Sequence, residues 1–225
     1  MKVRPAAPDD LDAYVTIQEE EWGEAMAAGR LQLESRLETF PAGVVVGEHN
    51  GEIVAGATFI RLKDYNLDDQ LSWSDLCDDG WCTNHDPDGT VMFGVDLSVS
   101  RRAPRSASAL MFTGGITLAV RQGVEAVYWG SRMPRYHKYA DTMSPDTYLR
   151  TRNKRGRYLD PEVQLYSRAP LVEVVGAVPD YFKDWESENW GAIMVWRNPV
   201  HRFPILRPFT DQVVSLIYAI DRRRR

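Results

Sequence analysis

The segments Val91-Met-Phe-Gly-Val-Asp-Leu-Ser-Val99 and Ser100-Arg-Arg-Ala-Pro-Arg-Ser106 decide how the fold of this chain is interpreted. The first is a mainly apolar run that predicts a buried strand, and the second is a turn that carries three arginines. A helix is predicted directly after this turn, over Ala107–Gln122, and a second strand over Ala126–Gly130. Because the N-terminus of a helix presents unpaired N–H groups and a partial positive charge, this order of elements suits a diphosphate ligand.

The overall composition is typical of one globular domain. The chain has 225 residues, of which 44% are hydrophobic, and this is enough for a full core. The net charge of −5 argues against general nucleic-acid binding, which usually requires a basic surface. No apolar run approaches the length of about 18 residues that a membrane helix needs, and no charged and then apolar leader opens the sequence. We therefore expect a cytoplasmic protein that does not enter a membrane.

The cysteine content gives no disulfide framework, because there are only two cysteines, Cys77 and Cys82. Together with His85 they have part of the spacing of a metal site, but no fourth ligand is evident. We expect two thiols in a polar loop and no bound metal.

Outside the central stretch, hydrophobic spacing and turn residues predict the remaining elements. The Asn50-Gly51 pair is a strong signal for a hairpin between two of the strands. Helices are predicted from Asp9 or Asp10 to Ala27, and over Leu31–Thr39, Ser144–Thr151 and Thr210–Ile220. Strands are predicted over Lys2–Pro5, Gly43–Glu48, Ile53–Leu62, Glu162–Tyr166, Val172–Val178 and Ala192–Trp196.

This order of elements indicates an α/β (α+β) fold, with a mixed central sheet flanked by helices. Residues 63–90 form a long polar segment between two predicted strands, and Trp73, Leu76 and Trp81 within it indicate a packed lid. The last predicted helix lies in a C-terminal extension that ends in the basic tail Arg222-Arg-Arg-Arg225.

Several of these segments resemble the GNAT acyltransferase superfamily. Leu97-Ser-Val99, with the basic turn, helix and strand that follow, is similar to the acyl-CoA site of that superfamily. Val3-Arg-Pro-Ala-Ala-Pro-Asp-Asp-Leu11 resembles its first strand and the start of its first helix, and Gly51-Glu-Ile-Val-Ala-Gly-Ala57 resembles its second hairpin. The resemblance implies a GNAT-like acyltransferase domain over residues 1–200 and a C-terminal helical extension over residues 201–225.

A narrower resemblance is to the GNAT domains that are fused to nitrilase-like amidohydrolases. It is carried by Met133-Pro-Arg-Tyr-His-Lys-Tyr-Ala-Asp-Thr-Met-Ser144, Tyr158-Leu-Asp-Pro161, Val178-Pro-Asp-Tyr181, Val195-Trp-Arg-Asn-Pro199, Asn84-His85 and Pro87-Asp-Gly89.

The chain departs from the superfamily in the phosphate loop. That loop normally reads Gln/Arg-x-x-Gly-x-Gly/Ala, whereas this chain has Arg102-Ala-Pro-Arg105-Ser-Ala107, with arginine in place of the central glycine. Glycine lets the backbone approach phosphate closely, but a guanidinium can replace such contacts with a bidentate fork. The resemblance assigns donor binding to Leu97, Ser98, Val99, Arg101, Arg102, Arg105, Ser106, Ala107 and Ser108. The resemblance implies acetyl-CoA or another acyl-CoA as the donor, and the arginine-rich loop leaves an acyl carrier protein or an aminoacyl-tRNA as alternatives.

Acyl transfer to an amine requires a neutral nucleophile, a stabilised oxyanion and a proton for the leaving group. We predict Asp96 as the base or the amine anchor. The resemblance implies a bulge in the strand with a free N–H near Leu97–Val99, and a tyrosine acid after the second central strand. Tyr136 and Tyr139 are both candidates for this acid, and His137, which lies between them, is a further candidate catalytic residue.

The leading hypothesis is an acyltransferase that acylates an amine of a small molecule. GNAT-like domains of polyketide loading modules instead decarboxylate malonyl groups and use a threonine and a histidine. No histidine occurs here between His137 and His201, which disfavours that reaction. A third hypothesis is a non-catalytic GNAT domain that has lost the glycine of its phosphate loop. The oligomeric state does not follow from the sequence.

Overall fold

In a computed structural model of the chain, residues 1–24 and 26–224 are described. Within them, seven strands form one mixed sheet in the order β1-β2-β3-β4-β5-β7-β6. The strands are β1 (Lys2–Pro5), β2 (Val44–His49), β3 (Glu52–Leu62), β4 (Val91–Val99), β5 (Ala126–Ser131), β6 (Val172–Val178) and β7 (Gly191–Arg197). The helices are α1 (Leu11–Trp22), α2 (Arg30–Thr39), α3 (Trp73–Cys77), α4 (Ala107–Gln122), α5 (Pro145–Arg150), α6 (Pro161–Tyr166) and α7 (Thr210–Arg224).

The predicted α/β class and the mixed sheet flanked by helices are confirmed. β4 and α4 have the bounds that the sequence predicted, because a nine-residue apolar strand and a long amphipathic helix are strong periodic signals. The β2–β3 hairpin turns at Asn50 and Gly51, whose φ angles of 53° and 83° are the positive values that an Asn-Gly turn provides. The lid, residues 63–90, contains the short helix α3.

One predicted strand is wrong in type, and the first predicted helix is too long. The segment Glu162–Tyr166, predicted as a strand, forms α6, because Asp160 caps it with hydrogen bonds from the N–H groups of Glu162 (2.9 Å) and Val163 (3.3 Å). Pro161 then occupies the first helical position, where a missing N–H costs nothing. The first helix was predicted to reach Ala27 but ends at Trp22, since Gly23 leaves the helical conformation at φ 75°.

The main core lies between the sheet and the helices α4 and α7. Val213, Val214 and Ile217 of α7 are buried in it, and the Tyr218 hydroxyl lies 2.7 Å from Thr113 Oγ1 on α4. The C-terminal extension therefore packs against α4 and contributes to the main core. Helix α7 continues through the first three arginines of the predicted basic tail, and Arg225 lies outside the described residues.

The opposite face of the sheet is covered by α1 and α2, where a buried ion pair joins α2 to β4. Arg36 Nη1 lies 2.5 Å from Asp96 Oδ2, and the side chain of Arg36 is only 2% exposed. The Tyr14 hydroxyl donates to the other carboxylate oxygen of Asp96 at 2.5 Å, and Arg36 Nε donates to the carbonyl of Gly80 in the lid at 2.6 Å. This network connects α1, α2, the lid and β4.

We predict that Arg36→Met destabilises the protein by about 3–5 kcal/mol, because it leaves the Asp96 carboxylate buried without its partner. The matched control is Arg30→Met on the same helix, since Arg30 forms only surface ion pairs with Asp12 and Glu34. The control should cost no more than about 1 kcal/mol. Urea unfolding of both variants measures the difference, and equal stabilities would contradict the prediction.

Candidate functional site

A cleft opens where β4 and β5 separate. The two strands are paired in parallel from Val91 and Ala126 to Gly94 and Trp129, and no further. Beyond this point β4 continues to Val99, while β5 remains paired with β7 on its other side. The edge of β4 that faces β5 is therefore without a partner strand over its last five residues.

A β-bulge lies at the start of this unpaired edge. On β3, Thr58 is paired with Asp96 and Phe59 with Gly94, so Val95 is the extra residue. The indole N–H of Trp73 in the lid donates to the carbonyl of Val95 at 2.8 Å, which fixes the bulge. The segment Leu97–Val99, where a free N–H is predicted, follows the bulge by two residues on the same unpaired edge.

A cavity of about 740 Å³ passes through the cleft. On the α4 face of the sheet it is lined by aromatic side chains, including Phe59, Phe112, Trp129 and Tyr166. Phe112 and Trp129 meet edge to face, with ring centroids 5.0 Å apart, and Trp129 and Tyr166 do so at 5.9 Å. The opposite side is lined by residues of α1, α2, the lid and the loop after β6, and its polar members include Gln18, Arg36, Ser72, Asp180 and Lys183.

Two residues of α6 bring titratable groups into the cavity. Glu162 and Tyr166 are four residues apart, so both side chains lie on the same face of this helix. Burial raises the pKa of the Glu162 carboxyl to about 7, with the negative charges of Asp160 and Asp184 adding to the effect and Arg132 opposing it. Burial, together with the charge of Glu162, also raises the pKa of the Tyr166 phenol, which therefore stays protonated at neutral pH. The cavity lining thus holds one carboxyl, that of Glu162, with a pKa near neutrality, and two phenols, those of Tyr166 and Tyr181, whose pKa values burial raises.

Arg132 is held in place beside this pair. Its guanidinium forms a two-bond contact with Asp184, at 2.8 and 2.9 Å, and a third bond with Glu186 at 2.9 Å. Burial alone would raise the pKa of Asp184, but the hydrogen bonds from Arg132 and Ser187 outweigh it, so that this pKa is lowered. Asp184 is therefore a permanent carboxylate that neutralises Arg132.

The three arginines of the basic turn after β4 differ in their contacts with carboxylates. Arg102 donates to Ser100 Oγ at 3.3 Å and lies within 4 Å of Glu20 and Glu52. Arg101 and Arg105 are exposed and form no salt bridge among the described residues, although the charge of Arg101 acts on the carboxyl of Glu21. The N-cap residue of α4, Ser106, makes no side-chain cap. Exposed guanidinium groups therefore lie near a helix N-terminus whose N-cap residue makes no side-chain bond, an arrangement that attracts anions, and we call it the candidate anion site.

The remaining predicted donor-binding residues lie in different surroundings. Leu97 lines the cavity, and Ser98 is buried and accepts a hydrogen bond from the Trp22 indole at 2.8 Å. Ala107 is buried, and its N–H donates to the carbonyl of Pro104, while Ser108 is the next residue of the first turn of α4.

The predicted catalytic residues are not brought together. Asp96 lines the cavity, but both of its carboxylate oxygens are taken by Arg36 and Tyr14. Three others lie outside the cavity lining, namely Tyr136, His137 and Tyr139. The Tyr136 hydroxyl donates to the carbonyl of Met143 at 3.0 Å, the Tyr139 ring packs against Tyr148, and His137 lies against Trp185 with Nδ1 3.1 Å from the carbonyl of Glu186.

Sequence reasoning missed Glu162 and Tyr166 because it interpreted their segment as a strand. The signal that could have found them is Asp160-Pro161, since an N-cap aspartate followed by proline is a typical helix start.

The two cysteines and His85 do not form a metal site. Both thiols are buried, and burial raises the pKa of Cys82 to about 12. His85 Nδ1 accepts the N–H of Arg61 at 3.0 Å, and its ring stacks on Phe40. Among the described residues, no group of three or more His, Cys, Asp or Glu side chains is arranged to hold a metal ion.

Within the same part of the chain, no helix is long and apolar enough to cross a membrane.

Two curated proteins are similar to this chain, while no protein-family model matches it. It is 30% identical over 202 residues to "Probable hydrolase YhcX" of Bacillus subtilis (strain 168), in a match that covers 88% of this chain and 39% of that protein. It is 27% identical over 207 residues to "Uncharacterized N-acetyltransferase YkwB" of the same organism, covering 90% of this chain and 91% of the relative. The chain thus spans less than half the length of the first relative and nearly all of the second.

Solved structures show the fold. The GphF GNAT-like decarboxylase in complex with isobutyryl-CoA has a TM-score of 0.74 at 24% identity, and the match covers 88% of this chain and 99% of that one. The loading GNATL domain of CurA from Lyngbya majuscula has a TM-score of 0.74 at 18% identity, with 87% and 96% covered. Chaetomium thermophilum Naa20 in complex with a bisubstrate analogue has a TM-score of 0.54 at 14% identity, with 88% and 86% covered. The chain has the GNAT fold.

We predict that the Glu162 carboxyl titrates near pH 7, because it is buried beside the carboxylates of Asp160 and Asp184. Carbon-13 NMR of the glutamate side-chain carboxyls across pH 4–9 measures this, and the resonance that is missing from Glu162→Gln identifies the group. Titration of that resonance below about pH 5, the range of ordinary glutamates, would contradict the burial of this side chain in the cleft.

Proposed function

We propose that the chain is a GNAT acyltransferase that transfers an acyl group from an acyl-CoA to an amine of a small molecule. The observation that carries this proposal is the cavity between β4 and β5, which joins an unpaired strand edge to a carboxyl with a pKa of about 7 and a phenol. The N-acetyltransferase name of the YkwB relative and the GNAT fold support it. An acyl-CoA donor also agrees with the cytoplasmic location that the sequence predicts.

The candidate anion site after β4 suits the diphosphate of coenzyme A. Arg101 and Arg105 supply side-chain charge where glycine would supply backbone contacts. From this turn the pantetheine arm would follow the unpaired edge of β4 toward the bulge at Val95. The neighbouring GphF structure, which holds isobutyryl-CoA, supports a donor of this kind.

The reaction then needs one base, one oxyanion site and one proton donor. The Glu162 carboxylate takes a proton from the acceptor ammonium, and the neutral amine attacks the thioester carbon. Unpaired N–H groups of β4 stabilise the oxyanion of the tetrahedral intermediate. The C–S bond breaks, the thiolate takes its proton from Tyr166, and the proton held by Glu162 restores the phenol. The nitrogen of the new amide loses its second proton to solvent, so that a neutral amide, the free thiol and one released proton are left.

This proposal gives Asp96 a positioning role. Its carboxylate is committed to Arg36 and Tyr14, and it holds β4 immediately after the bulge. The proton donor remains a tyrosine after the second central strand, as the resemblance implies, but Tyr166 replaces Tyr136 and Tyr139 because it alone of the three lines the cavity.

A second candidate function is decarboxylation of an acyl thioester. It is favoured by one observation, the TM-score of 0.74 to two GNAT-like loading domains, one of which is named a decarboxylase. The cavity lining disfavours it, because no histidine of the described chain is among the lining residues. Transfer to an amine is therefore the better supported reaction.

The alternative donors differ in the surface they need. An aminoacyl-tRNA would require a basic track, for which the cluster at residues 150–157 is the candidate. Within that cluster the Arg152 guanidinium stacks 3.4 Å above the Tyr158 ring and donates to the carbonyl of Leu149, so it is already engaged. An acyl carrier protein would require only its single pantetheine phosphate at the candidate anion site.

The relation to nitrilase-associated GNAT domains also belongs to this proposal. It is supported by the match to a longer protein named a probable hydrolase, of which this chain covers 39%. On this interpretation the chain corresponds to the acyltransferase portion, residues 1–200, and its C-terminal extension.

We predict that Glu162→Gln lowers kcat/KM by a factor of about 10²–10⁴ and removes the rise in rate near pH 7, because the amide cannot accept the proton. Tyr166→Phe should lower kcat while CoA binding is unchanged. Release of CoA from acetyl-CoA and butyryl-CoA with a panel of primary amines measures both. Glu173→Gln is the matched control, since this glutamate lies on the surface with its side chain 61% exposed. A wild-type rate in Glu162→Gln, or equal losses in Tyr139→Phe and Tyr166→Phe, would contradict the assignment.

We also predict micromolar binding of CoA that depends weakly on salt, because a single diphosphate releases few counterions. Arg101→Ala and Arg105→Ala should each weaken it, whereas Arg102→Ala should have a smaller effect because Arg102 is held by Ser100 and Glu20. Calorimetry at two salt concentrations measures this. Absence of CoA binding, together with salt-sensitive binding of bulk tRNA, would instead identify tRNA as the donor.

A further inference from the structure

The cavity continues past the point where β4 and β5 meet. It is lined there by Val127 and Trp196, which face each other across the β5–β7 pair. Val127 lies two residues before Trp129, the last residue of β5 that is paired with β4. At a rise of about 3.3 Å per residue, the cavity extends roughly 7 Å beyond the apex of the cleft. We call this part the apex chamber.

The walls of the apex chamber are built from apolar and aromatic side chains, and the indole N–H groups of Trp129 and Trp196 are buried there without a hydrogen-bond partner. Ile116, Val127, Trp129 and Trp196 are each at most 7% exposed, and Phe59 completes the wall on the β3 side. No charged side chain belongs to this set. Glu162 and Tyr166 of α6 adjoin it, since the Tyr166 ring meets that of Trp129 at 5.9 Å. A charged group would lose its hydration here and would find no oppositely charged side chain among these residues, only the neutral indole donors.

A glycine in α4 shapes the chamber. Gly115 lies inside the helix, where glycine costs about 1 kcal/mol relative to alanine. A Cβ at this position would lie 2.6 Å from Cζ of Phe59, so only glycine lets that ring rest against the helix backbone. The ring is thereby withdrawn toward α4, and both residues line the cavity.

The direction of the donor places its acyl group in this chamber. The candidate anion site is at the open end of the cleft, after Val99, and the cleft narrows toward Gly94. A linear ligand anchored by its diphosphate at the open end therefore has its distal end at the apex. We propose that this enzyme uses acyl-CoA donors with an apolar acyl group larger than acetyl, which fills the apex chamber. This inference rests on the proposed acyl-CoA donor.

The test compares acetyl-, butyryl- and hexanoyl-CoA, with malonyl-CoA as the charged probe. Each methylene that enters an apolar site should tighten binding about fourfold, so butyryl-CoA should bind about fifteenfold more tightly than acetyl-CoA. Malonyl-CoA should bind more weakly than butyryl-CoA. Calorimetry measures these affinities without an acceptor, and CoA release with primary amines measures the same preference in kcat/KM.

The variant Val127→Ile adds one methylene to the chamber wall and should reduce the ratio of butyryl to acetyl affinity at least about fourfold. Val127→Phe should abolish the preference for butyryl-CoA. If Val127→Phe does not fold, the measurement on Val127→Ile is the test. The matched control is Val175→Ile on β6, a partly buried valine outside the cavity lining.

The outcomes separate this inference from the proposed function. Equal or tighter binding of acetyl-CoA relative to butyryl-CoA overturns the apex chamber but leaves acyl transfer intact. A chain-length preference that Val127→Ile does not change also overturns it, because the acyl group then lies elsewhere. A preference in binding that Val127→Ile reduces, without transfer to any amine, supports the chamber and counts against the proposed reaction.

Discussion

The ion pair between Arg36 and Asp96 is the interaction on which the cleft depends. It is buried on the α2 face of the sheet, and its partners come from α1, α2, the lid and β4. A buried charge is tolerated only when it is paired and hydrogen-bonded, and here both carboxylate oxygens and two guanidinium nitrogens are satisfied. Four parts of the chain must therefore adopt one mutual arrangement before this pair can form.

The lid connects the ion pair to the unpaired edge of β4. Arg36 binds the lid through the carbonyl of Gly80, and the lid returns to β4 through the indole of Trp73, which binds the carbonyl of Val95. The bulge is thus held from both sides, at Val95 and at Asp96. Preorganised N–H groups stabilise an oxyanion because they need not move when charge develops. A long loop of little regular structure in this way sets the geometry of the strand beside it.

The sequence predicts the parts of this molecule that have a strong local signal. The apolar run of β4, the long helix α4 and the Asn50-Gly51 turn are all evident from a few neighbouring residues. The partner of Asp96 could not be predicted, because Arg36 is 60 positions away and nothing local marks it as buried. The short helix α6 has too few residues to show a period, so the carboxyl and phenol in the cavity were missed.

The raised pKa of Glu162 has a consequence for folding as well as for chemistry. An unfolded glutamate has a pKa near 4.5, whereas the folded value is about 7, so the native state retains a proton that the unfolded state releases between these values. Below this pH window the Glu162 carboxyl is neutral in both the folded and the unfolded state, so its ionisation does not lower the stability of the fold. As the pH rises through it, ionisation in the cleft costs stability, at most about 3 kcal/mol. The protein is thus least stable at the alkaline end of this window, where its proposed base is most active, which is the trade-off expected of a site selected for reactivity.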